Sequence, residues 1–239
     1  MLINKLTIAA NDVQYDIAYQ HIKPQNSQAA ILWLGGYCSV MNATKANALA
    51  AWAKEHSVEM IRFDYSGLGE SDGDLSDATV SKWLNEALLI HQQLEKQPTI
   101  IVGSSFGGWL ALRLVETLMQ SQLTQPKALL LLAPAADFTH ELLLKQLPDD
   151  LIAHLDTHGK LILPSQYDSS SYIFYKNFVH DAKQHLLFNR PANVDVPMTI
   201  IHGELDLDVP ISISHKLLTH FKNSSLIIDC LANRISISY

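Results

Sequence analysis

The stretch Thr99-Ile100-Ile101-Val102-Gly103-Ser104-Ser105-Phe106-Gly107-Gly108-Trp109 decides how the chain is read. A short β-branched run predicts a strand, glycines break it, and Leu110, Leu114, Val115 and Leu118 then recur at helical spacing through about Met119. Ser105 sits at the break, in the pattern G-x-S-x-G formed by Gly103 to Gly107. With a strand before it and a helix after it, this is the context of a nucleophile elbow. The sharp turn exposes the hydroxyl, and the small neighbours let other backbone pass close by. The amide of Phe106 falls at the helix N-terminus, where unpaired N–H groups and the positive end of the dipole favour a developing oxyanion.

Upstream, Leu2 to Ile8 and Val13 to Ile22 alternate apolar with polar residues about Asn11-Asp12, which predicts an edge β-hairpin. Ala29 to Leu34 is continuously apolar, as a strand covered on both faces is, and ends in Gly35-Gly36-Tyr37. A glycine loop at the carboxyl end of a buried strand lies where open α/β sheets keep their ligands, so the amide of Tyr37 is the candidate second oxyanion donor. A helix over Ala43 to His56, a strand over Val58 to Phe63 and the turn-rich loop Asp64 to Gly73 follow. Asp77 or Thr79 caps the next helix, whose stripe includes Trp83, Ala87, Leu88, Ile90, His91 and Leu94. After the Ser105 turn and its helix, Ala128 to Ala133 reads as a further buried strand. The β-α-β-α-β rhythm predicts a mostly parallel sheet with right-handed crossovers.

At Pro134 the rhythm fails, and it returns at Pro197. We therefore read residues 1–239 as one α/β domain carrying an insertion over 135–196. Helix-forming pieces (Glu141 to Gln146, Leu151 to His154) and the aromatic cluster Tyr167, Tyr172, Phe174, Tyr175 and Phe178 make this insertion an expected lid over Ser105, suited to an apolar acyl or aryl group. Past it, Met198 to Ile201 forms a strand, and Asp206 stands at its end, before a helix that Val209-Pro210 opens. A carboxylate there can accept from Nδ1–H of a histidine, fixing its tautomer and stabilising the imidazolium. Glu204 and Asp208 compete for that role.

A length of 239 residues with 48% hydrophobic and 17% charged content supports a full core. The net charge of -7 and the lack of a Lys/Arg run argue against nucleic acid and anionic membrane surfaces as partners. No apolar run is long enough to span a bilayer, and Met1 to Ala10 is too interrupted for a signal peptide. Two distant cysteines, Cys38 and Cys230, have neither metal nor redox spacing, which suggests a reducing compartment, taken here as the cytoplasm. No metal site and no cofactor is expected, and the oligomeric state is not legible.

The segments Tyr37 to Lys45 (YCSVMNATK), FDYSGLGESDG from Phe63, VGSSFGGW from Val102, and His202-Gly203 followed by Asp206 and Val209-Pro210 occur in the order found in α/β-hydrolases. In detail they resemble the branch that contains a mitochondrial palmitoyl-protein thioesterase and acyl-glucuronide hydrolase with bacterial relatives. The resemblance implies Ser105 as nucleophile, Asp206 as acid, the Tyr37 and Phe106 amides as oxyanion donors, and cofactor-free hydrolysis of a small-molecule ester or thioester through an acyl-enzyme. It also implies a histidine after the last strand. Here Ser225 to Asp229 is followed by Cys230-Leu231-Ala232-Asn233-Arg234, so Asn233 is read at the position of the expected catalytic histidine, and the expectation is a fold without its terminal helix.

Asparagine takes no proton near neutral pH, and loss of a triad base costs on the order of 10⁶ in kcat. The alternative reading is therefore a catalytically impaired binding protein with the same cleft, or a family member whose C-terminus is altered. His202 reads as structural, His215 and His220 as surface residues. His140, His154, His158, His180 and His185, all in the insertion, remain as substitute bases.

Overall fold

The alternating N-terminal segments pair as an antiparallel hairpin, β1 (Asn4–Ala10) and β2 (Val13–Ile22), with Leu6 opposite Ile17. The computed structural model describes residues 2–10, 13–94, 97–164, 171–191 and 194–229. The hairpin's turn at Asn11-Asp12 lies outside these. Of the hairpin's two strands β1 alone is a sheet edge, because β2 also pairs antiparallel with β4 (Glu59–Phe63).

From β4 inward the sheet is parallel. Its order is β1-β2-β4-β3-β5-β6-β9-β10, with β3 Ala30–Leu34, β5 Thr99–Ser104, β6 Ala128–Leu132, β9 Met198–Gly203 and β10 Ser224–Asp229. The helices between them are α1 (Thr44–Glu55), α2 (Val80–His91), α3 (Phe106–Gln120) and α6 (Ile211–His220). Thr79, of the two candidate caps, holds the start of α2, its hydroxyl accepting from the Lys82 N–H at 3.0 Å.

The unbroken apolar runs follow from burial on both faces. Ile31 and Trp33 of β3 pack on one face with Ala46, Ala50 and Ala53 of α1. Ala30, Leu32 and Leu34 face the other way into the larger core beneath α2 and α3. Trp83, Phe106 and Trp109 are fully buried there, with the Trp83 and Phe106 rings 5.5 Å apart, edge to face. Such aromatic pairs add roughly 0.5–1.5 kcal/mol beyond their buried area.

Between β6 and β9 the chain leaves the main sheet. Thr139–Leu144 winds as a π-helical turn, α4 spans Asp149–His158, and β7 (Lys160–Pro164) and β8 (Ser171–Tyr175) form a separate antiparallel hairpin. α5 (Lys176–Asp181) and a 3₁₀ turn (Ala182–His185) lead back. The β7–β8 hairpin is absent from the sequence reading, where Tyr172 to Tyr175 registered as an aromatic cluster and not as a strand. Among the described residues no helix is long and apolar enough to cross a membrane, and no cluster of His, Cys, Asp or Glu could hold a metal ion.

Candidate active site

Ser105 lies between β5 and α3 with φ 53° and ψ −120°, a left-handed backbone that non-glycine residues rarely adopt. Its carbonyl accepts from the Gly108 and Ala135 N–H groups at 2.9 and 3.0 Å, and its own N–H donates to Leu132 at 3.0 Å. The turn is thus held from three sides. Its glycines are required by close approach: a Cβ on Gly107 would run into the carbonyls of Leu34 and Gly35, and one on Gly103 into the Gly107 carbonyl. The Ser105 hydroxyl has no hydrogen-bond partner among the described residues and borders a cavity of about 370 Å³.

The β3–α1 loop passes beside it, since a Cβ placed on Gly36 would stand 3.5 Å from the Ser105 Cβ. Tyr37 follows in that loop, and Phe106 is the first residue of α3; both residues line the same cavity, and neither backbone N–H has a hydrogen-bond partner among the described residues. Donors in that state, beside an unengaged hydroxyl, suit a developing oxyanion. A buried carboxylate anchors the loop from below: Asp64 accepts from the Met41 N–H at 2.5 Å and from the Glu70 N–H at 2.9 Å. Burial raises its pKa, and those two N–H groups oppose the rise. The role of Asp64 is not visible in sequence, because it depends on a partner 23 positions away.

Tyr37 also ties the loop to the excursion, its hydroxyl donating to the Ile173 carbonyl at 2.6 Å and its ring stacking on Phe174. Phe138, Leu142, Leu163, Tyr172 and Phe174 give the cavity an apolar wall. Of the expected aromatic cluster, Tyr172 and Phe174 reach it. Phe178 packs beneath, 5.0 Å from the Tyr37 ring, and Tyr167 lies outside the described residues. Burial pushes the Cys38 thiol up to about 12, so it stays protonated and offers no thiolate near neutral pH.

Asp206 does not end a strand. β9 stops at Gly203, and Asp206 sits in the following turn with Oδ1 accepting from the N–H groups of Asp208 and Val209 at 3.0 Å each. Leu207 to Pro210 border the cavity, and Asp206 is not among its lining residues. Asn233 lies outside the described residues, as does Cys230. Among the described residues no histidine lines the cavity. His202 is fully buried, with Nδ1 2.6 Å from the Ser214 hydroxyl and Nε2 donating to the Val209 carbonyl at 2.7 Å. It clamps β9 to α6. His185 is buried against Ser81, its Nε2 2.7 Å from Oγ, and His180 pairs with Asp156 at 2.9 Å. His140, His154, His158 and His215 are exposed.

One cavity residue had no role in the sequence reading. Lys45, in the first turn of α1, borders the cavity with Ser105. Burial pulls its pKa down, and the Asp206 charge partly restores it. It appears in the sequence only as the last residue of a motif, since nothing local marks it as reaching the cavity that Ser105 borders.

Comparison with known proteins accords with this architecture. The family model "Alpha/beta hydrolase family" matches residues 32–210. The mitochondrial palmitoyl-protein thioesterase ABHD10 of Pongo abelii is 36% identical over 199 residues, covering 82% of this chain and 62% of that protein. The chain thus spans about 62% of the length of that curated relative. Among solved structures, a putative hydrolase from Agrobacterium vitis S4 superposes with a TM-score of 0.89 at 33% identity, covering 95% of this chain and 89% of that one. Mouse alpha/beta hydrolase domain-containing protein 10 gives 0.80 at 30% identity, covering 94% and 88%.

These relatives correct the cytoplasmic expectation, because the curated proteins that match are mitochondrial. Two cysteines far apart in sequence point at most to reducing conditions, which do not single out the cytoplasm. With the family model covering most of its length and the whole fold superposing on solved relatives at 30% identity or more, the chain belongs to the alpha/beta hydrolase family.

Proposed function

We propose that the chain is a serine hydrolase of carboxylic esters or acyl thioesters working through an acyl-enzyme. In this reading Ser105 is the nucleophile, the Tyr37 and Phe106 amides hold the oxyanion, and Asp206 stabilises the protonated base. Residues 135–196 form a lid whose apolar wall takes the acyl group. The observation that carries the reading is the Ser105 hydroxyl, without a hydrogen bond among the described residues, on a left-handed backbone beside a cavity with an apolar wall. That the curated relatives are named palmitoyl-protein thioesterases supports an acyl thioester as the substrate class.

The chemistry is that of acyl transfer to serine. Ser105 Oγ attacks the carbonyl carbon as its proton leaves, the amides take up the charge on the carbonyl oxygen, and the thiol or alcohol departs. Water then releases the acid. The test is hydrolysis of p-nitrophenyl esters and acyl thiocholines of increasing chain length, with Ser105→Ala measured beside the wild type. Turnover that falls to background in the variant is expected; equal turnover in both would remove Ser105 from the mechanism.

A second reading is a binding protein that uses the same cleft for an acyl or aromatic ligand. The lack of a histidine on the cavity wall among the described residues favours it. Stabilisation by a fatty acid, with no turnover and no Ser105-dependent labelling by a fluorophosphonate, would select it.

A further inference from the structure

Two residues of β8 line the cavity, Tyr172 and Phe174, and the carbonyl of Ile173 between them accepts from the Tyr37 hydroxyl at 2.6 Å. Strand side chains alternate in direction, so Tyr172 and Phe174 share one face, and a bond to the backbone between them constrains where both stand. β8 pairs with β7 alone, in a sheet of two strands. Such a hairpin is marginal by itself and takes its position from what it is tied to. Tyr37 is a firm tie. It is 9% exposed, and its ring lies among Phe178 at 5.0 Å, Phe174 at 5.2 Å, Phe138 at 5.7 Å and Trp83 at 5.9 Å. Packing of that density leaves little room for another rotamer, and burial raises the Tyr37 pKa, so the hydroxyl remains a donor.

We propose that the Tyr37 side chain sets the acyl-chain preference of the site, as a positioning residue that holds Tyr172 and Phe174 through the Ile173 carbonyl. The inference rests on the serine-hydrolase reading above and gives it a determinant of chain length. The oxyanion donor assigned to the same residue is its backbone amide, a separate group from the hydroxyl. In this arrangement the acyl tail meets the wall that Tyr172 and Phe174 form with Phe138 and Leu163. The tail does not react, so it meets that wall alike in the ground state and the transition state. Uniform contact of this kind appears in KM and not in kcat. A longer tail is covered over more of its length, and an acetyl group has almost no tail to cover. A displaced wall therefore penalises long chains more than short ones.

Tyr37→Phe keeps the ring and removes the donor. The test compares it with the wild type, Phe174→Leu and the double variant on p-nitrophenyl acetate, octanoate and dodecanoate. The expected result in Tyr37→Phe is a fall of about 5-fold in the dodecanoate-to-acetate ratio of kcat/KM, carried by KM, as the loss of one neutral hydrogen bond gives. Octanoate should fall between the two. Phe174→Leu should lower the same ratio, and the double variant should lower it by less than the product of the single effects, because both changes act on one wall. A Tyr37→Phe ratio equal to that of the wild type, even at a lower melting temperature, would overturn the proposal, as would a double variant whose effects multiply. Turnover in Ser105→Ala, or none in the wild type, would remove the serine-hydrolase reading instead. The dissociation constant of dodecanoate, measured by calorimetry, then decides: a rise of about 5-fold in Tyr37→Phe is expected, and equal constants would overturn the proposal. Should Tyr37→Phe fold poorly, Phe174→Leu tests the wall alone, and a wild-type ratio there would overturn the proposal.

Discussion

The Tyr37 hydroxyl donates to the carbonyl of Ile173 at 2.6 Å, joining the loop beside Ser105 to strand β8 of the excursion. One residue thereby lines the cavity, stacks its ring on Phe174 at 5.2 Å, and ties its hydroxyl to a strand 136 positions away. Tyr37→Phe keeps the stack and strands the Ile173 carbonyl. It should lower stability by about 1 kcal/mol and raise KM for long acyl substrates more than it lowers kcat. Urea unfolding together with hydrogen exchange at Ile173 and Phe174 checks this; unchanged exchange there would mean that the ring stack alone holds the hairpin.

Strain at Ser105 predicts a trade between stability and function. A left-handed non-glycine residue costs roughly 1–3 kcal/mol, and glycine removes most of that cost. Ser105→Gly should therefore unfold at higher denaturant than Ser105→Ala by about 1 kcal/mol, with both variants inactive. Coincident midpoints would show that the surrounding hydrogen bonds already relieve the strain.

Gly107 predicts the opposite sign. Its missing side chain is where the Leu34 and Gly35 carbonyls pass, and backbone does not yield as a flexible side chain does. Gly107→Ala should lose about 3 kcal/mol or fail to accumulate as folded protein. A soluble variant of wild-type stability, measured by urea denaturation, would mean that the β3–α1 loop can move away from α3.

His202 sets a pH dependence. Burial lowers its pKa, ahead of the Val209 carbonyl and the Asp206 charge, which raise it. The unfolded chain therefore binds this proton more readily than the native one. The neutral clamp contributes fully above the ordinary histidine value of about 6.5, and its contribution falls as pH drops below that value toward the lower native one. Urea midpoints from pH 8 to 5 should fall more steeply for the wild type than for His202→Asn. Parallel curves would assign the acid sensitivity to other groups.

Much of the fold is legible in the sequence because the strands are marked by what covers them. Ala30 to Leu34 and Ile100 to Val102 are apolar without alternation, and the structure buries nearly all of these side chains. The strand-turn-helix at Ser105 is legible for a local reason, as the glycines and the helical spacing after them lie within a few residues. The β7–β8 hairpin was not legible, because Ser171 to Tyr175 pairs with Lys160 to Pro164 across intervening chain. Asp206 was placed at a strand end and lies three residues beyond it, in a turn closed by its own side chain. Hydrophobic pattern does not report that kind of boundary.

What the sequence determined by itself is the order of strands and helices and the turn that carries Ser105, since period, glycine placement and capping are properties of neighbouring residues. Which groups share the cavity was decided only in three dimensions. Lys45 and Ser105 are brought to one cavity by the parallel pairing of β3 with β5 and the close passage of Gly36, and Asp64 reaches Met41 through the parallel pairing of β3 with β4. The charge state of each such group depends on burial and on partners from distant segments, and both come into being only when the sheet has assembled.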